Sequence, residues 1–414
     1  MSASELPEEA YAAALASIRG IGPRTLRKLL FEVPDTSWSF ADLDLHPASS
    51  HGVWETILSG HRLDEDGRWR QEARCIDVER LWSGHVQQGI SVRIIGSSNY
   101  PQILTNDPEA PVVLFAIGNL DVIDSFPTVA LVGTRSPTRY GLGVAAGLGA
   151  ELATSGIAVV SGLAIGIDGA AHEGACAGFA RAGKENGTRD FNPGPPIAVV
   201  AGGLDTPYPS SHSRLFERVS NAGVIVSESP VGLRAERWRF PMRNRILAAI
   251  SDVIVVVESH HGGGSIHTVR AGLERGIPIG AVPGSIRSPA SKGTNDLLAD
   301  GCFPVRDVSD IAVALALANA GSETKVQRSG STRLNAKIHH ALPAEKPGLS
   351  TKDAKYNNLS AIEKAVFESV DWEPNSLDGI VSLSNLPLST VCVCLERLSE
   401  YGLVNGENGW WERR

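Results

Sequence analysis

Short apolar runs alternate with helical patterns through the middle of the chain. The runs are rich in β-branched residues and end in Gly, Ser or Glu; they are Thr128–Val132, Ile157–Val160, Ile197–Val200, Val224–Val226, Val253–Val257 and Ile277–Val282. Apolar residues recur at helical spacing between them, in Gly143–Thr154, Ser211–Asn221 and Thr268–Arg275. This alternation predicts an α/β fold with a doubly wound, mostly parallel, Rossmann-like sheet. Its ligand is expected at the carboxyl ends of the strands.

The pattern changes on both sides of this core, which we place at residues 121–320 with a surface insertion at 178–196. Residues 1–120 are mostly of helical periodicity and predict a helical N-terminal module. Residues 321–357 lose periodicity and are rich in Ser, Thr, Lys, Arg and Pro, which predicts a flexible linker. Residues 358–414 contain three helix-like segments followed by a short hairpin, a pattern typical of a winged-helix-like domain.

Composition narrows the class of protein. The 414 residues are 42 % hydrophobic, which excludes a wholly disordered chain, and their length predicts two or three folded units. No apolar stretch is long enough for a membrane helix, and no signal peptide is apparent. Five scattered cysteines make no disulfide framework or CxxC pair. We therefore expect a cytoplasmic protein with no membrane contact.

The net charge of −8 argues against nucleic acid only if the charge is spread evenly, and it is not. Ser17–Leu30 has four basic residues and no acid, and Arg234–Arg245 has five arginines against Glu236 alone. Tyr356–Arg414 has four basic and nine acidic residues. Local potential steers an anionic ligand more strongly than net charge does, so the two basic segments are candidates for phosphate contact.

The first basic segment, at about residues 17–31, is similar to a helix-hairpin-helix. Gly20 and Gly22 permit a tight turn, and Pro23 suits the first position of the next helix. Backbone N–H groups at that helix start could hold a phosphate, and the basic side chains beside them are Arg24, Arg27 and Lys28. The alternative is a hairpin whose glycines serve only close packing.

The loop after the first strand of the predicted sheet is a candidate for phosphate or nucleotide binding, and the alternative is an ordinary strand-to-helix turn. Gly133 and Thr134 let the backbone approach a ligand, while Arg135 and Arg139 add forked donors suited to phosphate. A loose dinucleotide fingerprint begins at Gly141, but no acid closes the second strand, so we predict no nicotinamide cofactor. A P-loop sequence is absent, and no other cofactor is indicated.

Two further segments carry candidate chemistry. The segment Arg237–Arg245 opens an apolar helix predicted at Ile246–Ile250; it interleaves arginines with Trp238 and Phe240 and ends in Arg243, Asn244 and Arg245. This combination suits a single strand because it offers charge for phosphates and π faces for bases. The alternative is a loop of solvated arginines with Phe240 in the core. Downstream, Gly262–Gly264 and Ser265 form a candidate anion nest at a helix start.

Three histidines flank that nest, His260, His261 and His267, but their spacing matches no zinc site, so we predict no metal. Asp168 and His172, four residues apart on a predicted helix, could suggest catalysis. No nucleophile accompanies them, and we favour a helix cap with a hydrogen-bonded histidine.

Taken together, these loops resemble the DprA/Smf family of DNA-processing proteins. The resemblance is carried by Ala130–Arg135, Ser161–Ala164, Gly166–Asp168 with Ala171–His172, Gly203–Asp205 with Tyr208–Pro209, Ser227–Glu228, Phe240–Pro241, Arg243–Arg245, Val256–Glu258, Gly264–Ser265 and Pro283–Gly284. It covers about 180 residues in order, and members of the family often carry flanking modules like those predicted here.

The resemblance implies an extended Rossmann-type homodimer that binds and protects single-stranded DNA and loads the RecA recombinase during natural transformation, without catalysis. Carried over by motif, the phosphate-facing residues are Gly133, Thr134, Arg135, Gly162, Gly166, Arg243, Arg245, Gly264 and Ser265. The sequence departs from the family at Ile165, where arginine is usual, and at Gly263, where serine is common. Arg139, or Lys184 of the predicted insertion, is a candidate for the missing charge.

Two alternatives remain open. The acidic C-terminal domain is expected to bind protein, or to regulate the DNA site of its own chain, rather than to bind duplex DNA.

The alternative function is that of a nucleoside-monophosphate phosphoribohydrolase, because Gly262–Thr268 faintly resembles the motif of those enzymes. That chemistry needs a carboxylate in the next helical turn, and the first acid after Thr268 is Glu274. We therefore predict a binding protein and not an enzyme.

Overall fold

The structure is a computed structural model that describes residues 6–31, 49–59, 67–185, 192–236, 238–322, 359–370, 375–407 and 410–413. In its N-terminal part the helices are α1 (Glu8–Ser17), α2 (Pro23–Phe31), α3 (Ser50–Ser59), α4 (Arg68–Ala73) and α5 (Val78–Gln87). Local signals explain their ends: Pro23 begins α2, and the Asp77 carboxylate caps α5 by accepting from the Arg80 backbone at 3.0 Å.

The expectation that residues 1–120 are mostly helical is wrong for their last third. Residues after α5 form strand β1 (Ile90–Ile94), the short helix α6 (Gln102–Thr105) and strand β2 (Val113–Gly118). The two strands pair antiparallel with each other, and β2 pairs with the central sheet. The side chains of β1 alternate between buried and half-buried, a two-residue period that the helical interpretation overlooked.

The predicted strands between residues 128 and 282 are all present. The elements of this region are α7 (Val122–Ser125), β3 (Thr128–Gly133), α8 (Arg139–Thr154), β4 (Ala158–Ser161), α9 (Ile167–Glu185), β5 (Pro196–Val200), α10 (Ser213–Ala222), β6 (Val224–Ser227), α11 (Arg239–Ile250), β7 (Val253–Glu258), α12 (Ser265–Glu274), β8 (Ile279–Ala281), α13 (Lys292–Ala299), β9 (Phe303–Pro304) and α14 (Val308–Ser322). Within the predicted insertion at 178–196, α9 continues to Glu185, and residues 186–191 lie outside the described part.

The described strands of the core form one nine-stranded sheet in the order β1-β2-β6-β5-β4-β3-β7-β8-β9. Strands β3 to β9 are parallel, and β1 and β2 extend the sheet antiparallel at one edge. The chain proceeds from β3 through β4 to one side and from β7 through β8 to the other. The point between β3 and β7 is therefore the switch point at which a doubly wound sheet opens a ligand crevice.

Two apolar clusters cover the two faces of the sheet. One joins the N-terminal helices to α11 and α12, and includes Leu15, Trp54, Phe115 and Leu247. The other joins α8, α9 and α14, and includes Leu152 and Ile311. Because both faces of the sheet are covered, its parallel strands are continuous apolar runs, and this made them recognisable in the sequence.

The described C-terminal residues form a separate unit with its own apolar cluster. Its elements are α15 (Ala361–Ser369), β10 (Asn375–Ser376), α16 (Leu377–Ser384), α17 (Leu388–Glu400), β11 (Val404–Glu407) and β12 (Trp410–Arg413). A capping box between Ser360 and Glu363 starts α15. The winged-helix-like assignment and the domain boundaries stay predictions, and residues 323–357 of the predicted linker lie outside the described ranges.

No single helix in the described ranges is long and apolar enough to cross a membrane. Helices α16 and α17 together have the length and apolar composition of a membrane span, but they are bent by 109° at the break between them.

Candidate nucleic-acid site

The loop after β3, residues 133–139, is built against the end of β7. A Cβ on Gly133 would lie 2.6 Å from the carbonyl oxygen of Glu258, so only glycine fits there. The Thr134 N–H donates to that same carbonyl at 2.7 Å. The buried Glu258 carboxylate accepts from the Thr138 N–H and hydroxyl at 2.7 and 2.8 Å. Loop 133–139 is therefore held in one shape from beneath.

The loop after β4, residues 162–166, packs beside loop 133–139. Gly166 has φ +89°, and a Cβ there would come within 2.8 Å of the Arg135 Cα. The Ile167 N–H donates to the Thr134 carbonyl at 3.2 Å, which ties the two loops together. Gly166 was predicted to face a phosphate, and its main role here is to permit this close approach.

Arg135 brings charge and aromatic surface together. Its guanidinium carbon lies 4.6 Å from the centre of the Phe240 ring, and Tyr208 packs on Phe240 with ring centres 5.8 Å apart. Tyr208 is 54 % exposed. Both rings line a small pocket that also has Gly162, Gly202 and Gly203 among its lining residues. Of the two predicted aromatic residues, Phe240 therefore lies beside Arg135 at the carboxyl edge of the sheet, whereas Trp238 stacks with the Arg239 guanidinium at 4.3 Å.

Arg243 occupies a different place from the one predicted. It was expected to face a phosphate, but its side chain is only 7 % exposed. One guanidinium nitrogen donates to the Val199 carbonyl, and the other lies 3.7 Å from the Asp168 carboxylate. The guanidinium fills the space that a Cβ on Gly162 would need. Arg243 thus supports the loops from inside the protein.

Asp168 shares this buried environment. Its carboxylate accepts from the Gly162 N–H at 3.1 Å, so it holds loop 162–166 instead of capping its own helix. Burial raises the pKa of Asp168, and the charges of Arg243 and Arg135 act against that rise. His172 is fully buried, with its Nε2 3.1 Å from the Ile197 carbonyl, and burial lowers its pKa to about 4. This bears out the structural interpretation of the histidine.

Arg245 and Arg27 also point inward, and both hold the segment that precedes β2. Arg245 pairs with Glu228 at 2.5 Å and donates to the Glu109 carbonyl. Arg27 donates to the carbonyls of Pro108 and Ala110 at 2.5 and 2.7 Å. The predicted phosphate role of both residues is therefore replaced by a packing role.

The same segment receives a third arginine that the sequence did not single out. Arg275 makes two bonds to the Asp107 carboxylate, at 2.6 and 3.0 Å, and one to Glu109 at 3.0 Å. These contacts raise the pKa of Arg275 although burial opposes them. Strand β2 runs antiparallel to β6, so the segment before β2 lies at the carboxyl end of β6. The three arginines Arg27, Arg245 and Arg275 therefore hold α2 at the same edge of the sheet as the strand-end loops.

The remaining residues of the predicted hairpin lie on α2 and in the turn before it. Gly20 has φ +90° in the turn before α2, and space beside Gly22 is open. Arg24 and Lys28 are exposed on α2, whereas Arg27 is half-buried. The hairpin therefore has one inward arginine and two outward basic residues. Asn244, between the two inward arginines of α11, is half-buried.

The nest after β7 is formed by the segment 259–264 and the start of α12. Gly262 has φ +72°, the Ser259 and Ser265 hydroxyls lie 2.8 Å apart, and Gly263 fits tightly against Ser259. Gly264 precedes α12 without a side-chain cap. Ser265 is buried and its hydroxyl is already bonded, so the outward groups here are backbone ones.

His260 links the nest to loop 133–139. Its Nδ1 lies 3.2 Å from the Thr134 hydroxyl, and burial lowers its pKa. Over the described ranges, no group of three or more His, Cys, Asp or Glu side chains converges as a metal site would require. Arg139, by contrast, is exposed at the start of α8. Glu274 is the last residue of α12, far from the nest at the other end of that helix.

Glu258 shapes the candidate phosphate loop from beneath, a role that its sequence motif did not indicate. An acid that ends a wholly apolar strand is the signal that could have identified it, because a buried carboxylate needs several donors. Sequence spacing alone could not indicate which loop supplies them.

Comparison with known proteins gives a consistent result. The profile of the family described as DNA recombination-mediator protein A matches residues 91–316. Protein Smf of Synechocystis sp. is 29 % identical over 98 % of this chain and 99 % of its own length. The DNA processing protein DprA of Bacillus subtilis is 33 % identical over 56 % of this chain and 74 % of its own.

A solved structure agrees. The X-ray structure of DNA processing protein A from Streptococcus pneumoniae superposes with a TM-score of 0.56 at 28 % identity, over 73 % of this chain and 97 % of that one. The profile covers more than half of the chain, and the relatives match over most of their own lengths, so the resemblance inferred from the strand-end loops is confirmed. The chain belongs to the DNA recombination-mediator protein A family, also called the DprA/Smf family.

Proposed function

We propose that this protein binds single-stranded DNA at the carboxyl edge of its parallel sheet and, as a homodimer, delivers the strand to a RecA-type recombinase. The observation that carries the proposal is the stack of Arg135 on Phe240 beside the exposed Tyr208. A guanidinium meets the phosphate backbone, while aromatic rings accept bases that a duplex would keep hidden.

The surroundings favour a strand lying along this edge. Arg139 follows on the same loop, and the uncapped start of α12 offers backbone N–H groups to a phosphate. Arg24 and Lys28 extend the basic surface beyond β6 because the arginine cluster anchors α2 there. Delivery to a recombinase is supported by the description of the family as a recombination mediator. We propose no catalytic step.

Binding is tested by fluorescence anisotropy with a short labelled oligonucleotide, single-stranded and duplex, over a series of salt concentrations. We expect tighter binding of the single strand and a steep negative slope of log affinity against log salt. Arg135→Ala should weaken binding about tenfold or more and make the slope shallower. Arg181→Ala is the matched control, since Arg181 is exposed on α9 about 20 Å along the helix from the strand ends.

Equal affinity for single-stranded and duplex DNA, or equal loss in the two variants, would contradict the proposed site. Light scattering tests the homodimer. RecA-type filament formation on strands already covered by a single-strand binding protein tests the delivery, and it should be faster with wild type than with Arg135→Ala. Incubation with nucleoside monophosphates should release no free base.

A further inference from the structure

The C-terminal unit contacts the rest of the chain at the switch point of the sheet. The Ser136 hydroxyl donates to the Asn375 side-chain oxygen at 2.8 Å, and the Trp410 ring packs on the His260 ring with centres 4.4 Å apart. Asn375 and Trp410 lie on the paired strands β10 and β12, so one edge of the small sheet makes both contacts. Asn375 is 5 % exposed.

These contacts fall on the two loops that border the ligand crevice. Ser136 follows Arg135 on loop 133–139, after β3, and His260 lies in segment 259–264, after β7. Strands β3 and β7 are neighbours, and the chain leaves them in opposite directions. The C-terminal unit therefore covers the crevice in which a doubly wound sheet receives its ligand.

Charge favours this placement. Loop 133–139 carries Arg135 and Arg139 and no acidic residue, whereas residues 356–414 carry nine acidic and four basic residues. A domain of net negative charge is attracted to a basic crevice, and it repels a phosphate chain that approaches the same place. Such an arrangement accounts for an acidic domain in a DNA-binding chain.

The C-terminal unit can also leave as a whole. Its apolar cluster, which includes Phe367, Ile380 and Leu395, is separate from the two clusters of the sheet. The contacts named above are one hydrogen bond and one ring pair, each of modest free energy. Separating the unit from the crevice therefore opens neither core.

We propose that the C-terminal unit is an intramolecular competitor of DNA: Asn375 and Trp410 hold it over the crevice, and a single strand must displace it to bind. This inference rests on the proposed function. When the unit covers the crevice in most molecules, only the remaining open molecules can bind DNA. The apparent affinity for DNA is then the intrinsic affinity of the open crevice multiplied by the open fraction.

The first test compares full-length variants by anisotropy with the short single strand. Trp410→Ala and Asn375→Ala should each bind about two- to tenfold more tightly than wild type, which corresponds to the loss of one ring or hydrogen-bond contact. Tyr401→Ala, which removes an aromatic residue that is 46 % exposed in the same unit, should bind like wild type. Weaker binding by Trp410→Ala would overturn the proposal, because the unit would then assist DNA.

A disulfide provides the second test. Ser136→Cys combined with Asn375→Cys should cross-link on mild oxidation, detected as a mobility change on a non-reducing gel, and the oxidised protein should bind at least tenfold more weakly than the same protein after reduction. Failure to cross-link, or equal binding before and after reduction, would overturn the competition. Absence of binding by wild type would instead refute the proposed function, while the cross-link would still report whether the unit docks.

Discussion

Glu258 holds Thr138 with both carboxylate oxygens, at 2.7 Å to the backbone N–H and 2.8 Å to the hydroxyl. Thr138 in turn caps α8 by accepting from the Gly141 N–H at 3.2 Å. The side chain that ends β7 thus fixes the loop after β3 and the helix that follows it. The shape of the candidate phosphate loop depends on a residue that does not face the ligand.

Replacing this acid should disturb the loop. Glu258→Gln puts an amide N–H₂ opposite a donor in a site that is 1 % exposed, so we expect a loss of stability of about 1–3 kcal/mol and weaker binding of single-stranded DNA. Thermal melting and anisotropy measure the two effects. Glu274→Gln, at the exposed end of α12, is the control and should change neither. Wild-type melting of Glu258→Gln would contradict the structural role.

Gly166 should tolerate no side chain. Gly166→Ala places a Cβ within 2.8 Å of the Arg135 Cα at a φ of +89°. The left-handed backbone alone costs about 1–2 kcal/mol, and the contact with loop 133–139 adds to it. We therefore expect a lower melting temperature and weaker DNA binding. Gly147→Ala, in open space within α8, should raise stability by about 1 kcal/mol, so similar shifts in the two variants would refute this account.

Arg243 and Arg135 should differ in what they affect. Arg243→Ala leaves the Asp168 carboxylate buried without its nearest cation, so we expect a loss of about 3–5 kcal/mol. Arg135→Ala should lower DNA affinity with little change in stability. Denaturant unfolding and anisotropy on both variants separate the two roles. Partial recovery of stability in Arg243→Ala combined with Asp168→Asn is expected, and no recovery would show that the ion pair is not the reason.

The sequence predicted the strands from β3 to β8 because both of their faces are buried, which produces unbroken apolar runs. It missed β1, whose side chains alternate between buried and half-buried, and β2, which is as long as β3 but lies in a region interpreted as helical. It also located the arginines correctly but not their directions. Arg243 and Arg245 are two residues apart on α11, about 200° around the helix, so both could not face one phosphate. Helical geometry applied to the charge count would have indicated this.

The contact between Ser136 and Asn375 could not be predicted from the sequence. The two residues are 239 positions apart, and nothing in their local sequence indicates that they meet. The excess of acid in the C-terminal residues did indicate a regulatory role as one of two alternatives. Only the order of the strands in the sheet locates the switch point, and this location was needed to infer that the C-terminal unit lies over the ligand crevice.

The stability of the protein should fall in a defined pH window because of His172. Burial lowers the pKa of this fully buried histidine to about 4, against an ordinary value of 6.5. Above pH 6.5 neither the folded nor the unfolded chain binds a proton there. As the pH falls below 6.5 the unfolded chain becomes protonated and the folded chain does not, so the free energy of unfolding decreases until the pH passes about 4.

The expected contribution of His172 is a loss of about 2 kcal/mol between pH 7 and pH 5. His172→Gln keeps a donor for the Ile197 carbonyl but does not titrate, so its unfolding free energy should decrease less over this range. Urea unfolding of both proteins at pH 7, 6 and 5 measures the difference, and groups common to both cancel. Parallel pH profiles for the two proteins would mean that His172 is not the source, because only a group whose proton affinity changes on folding can produce the slope.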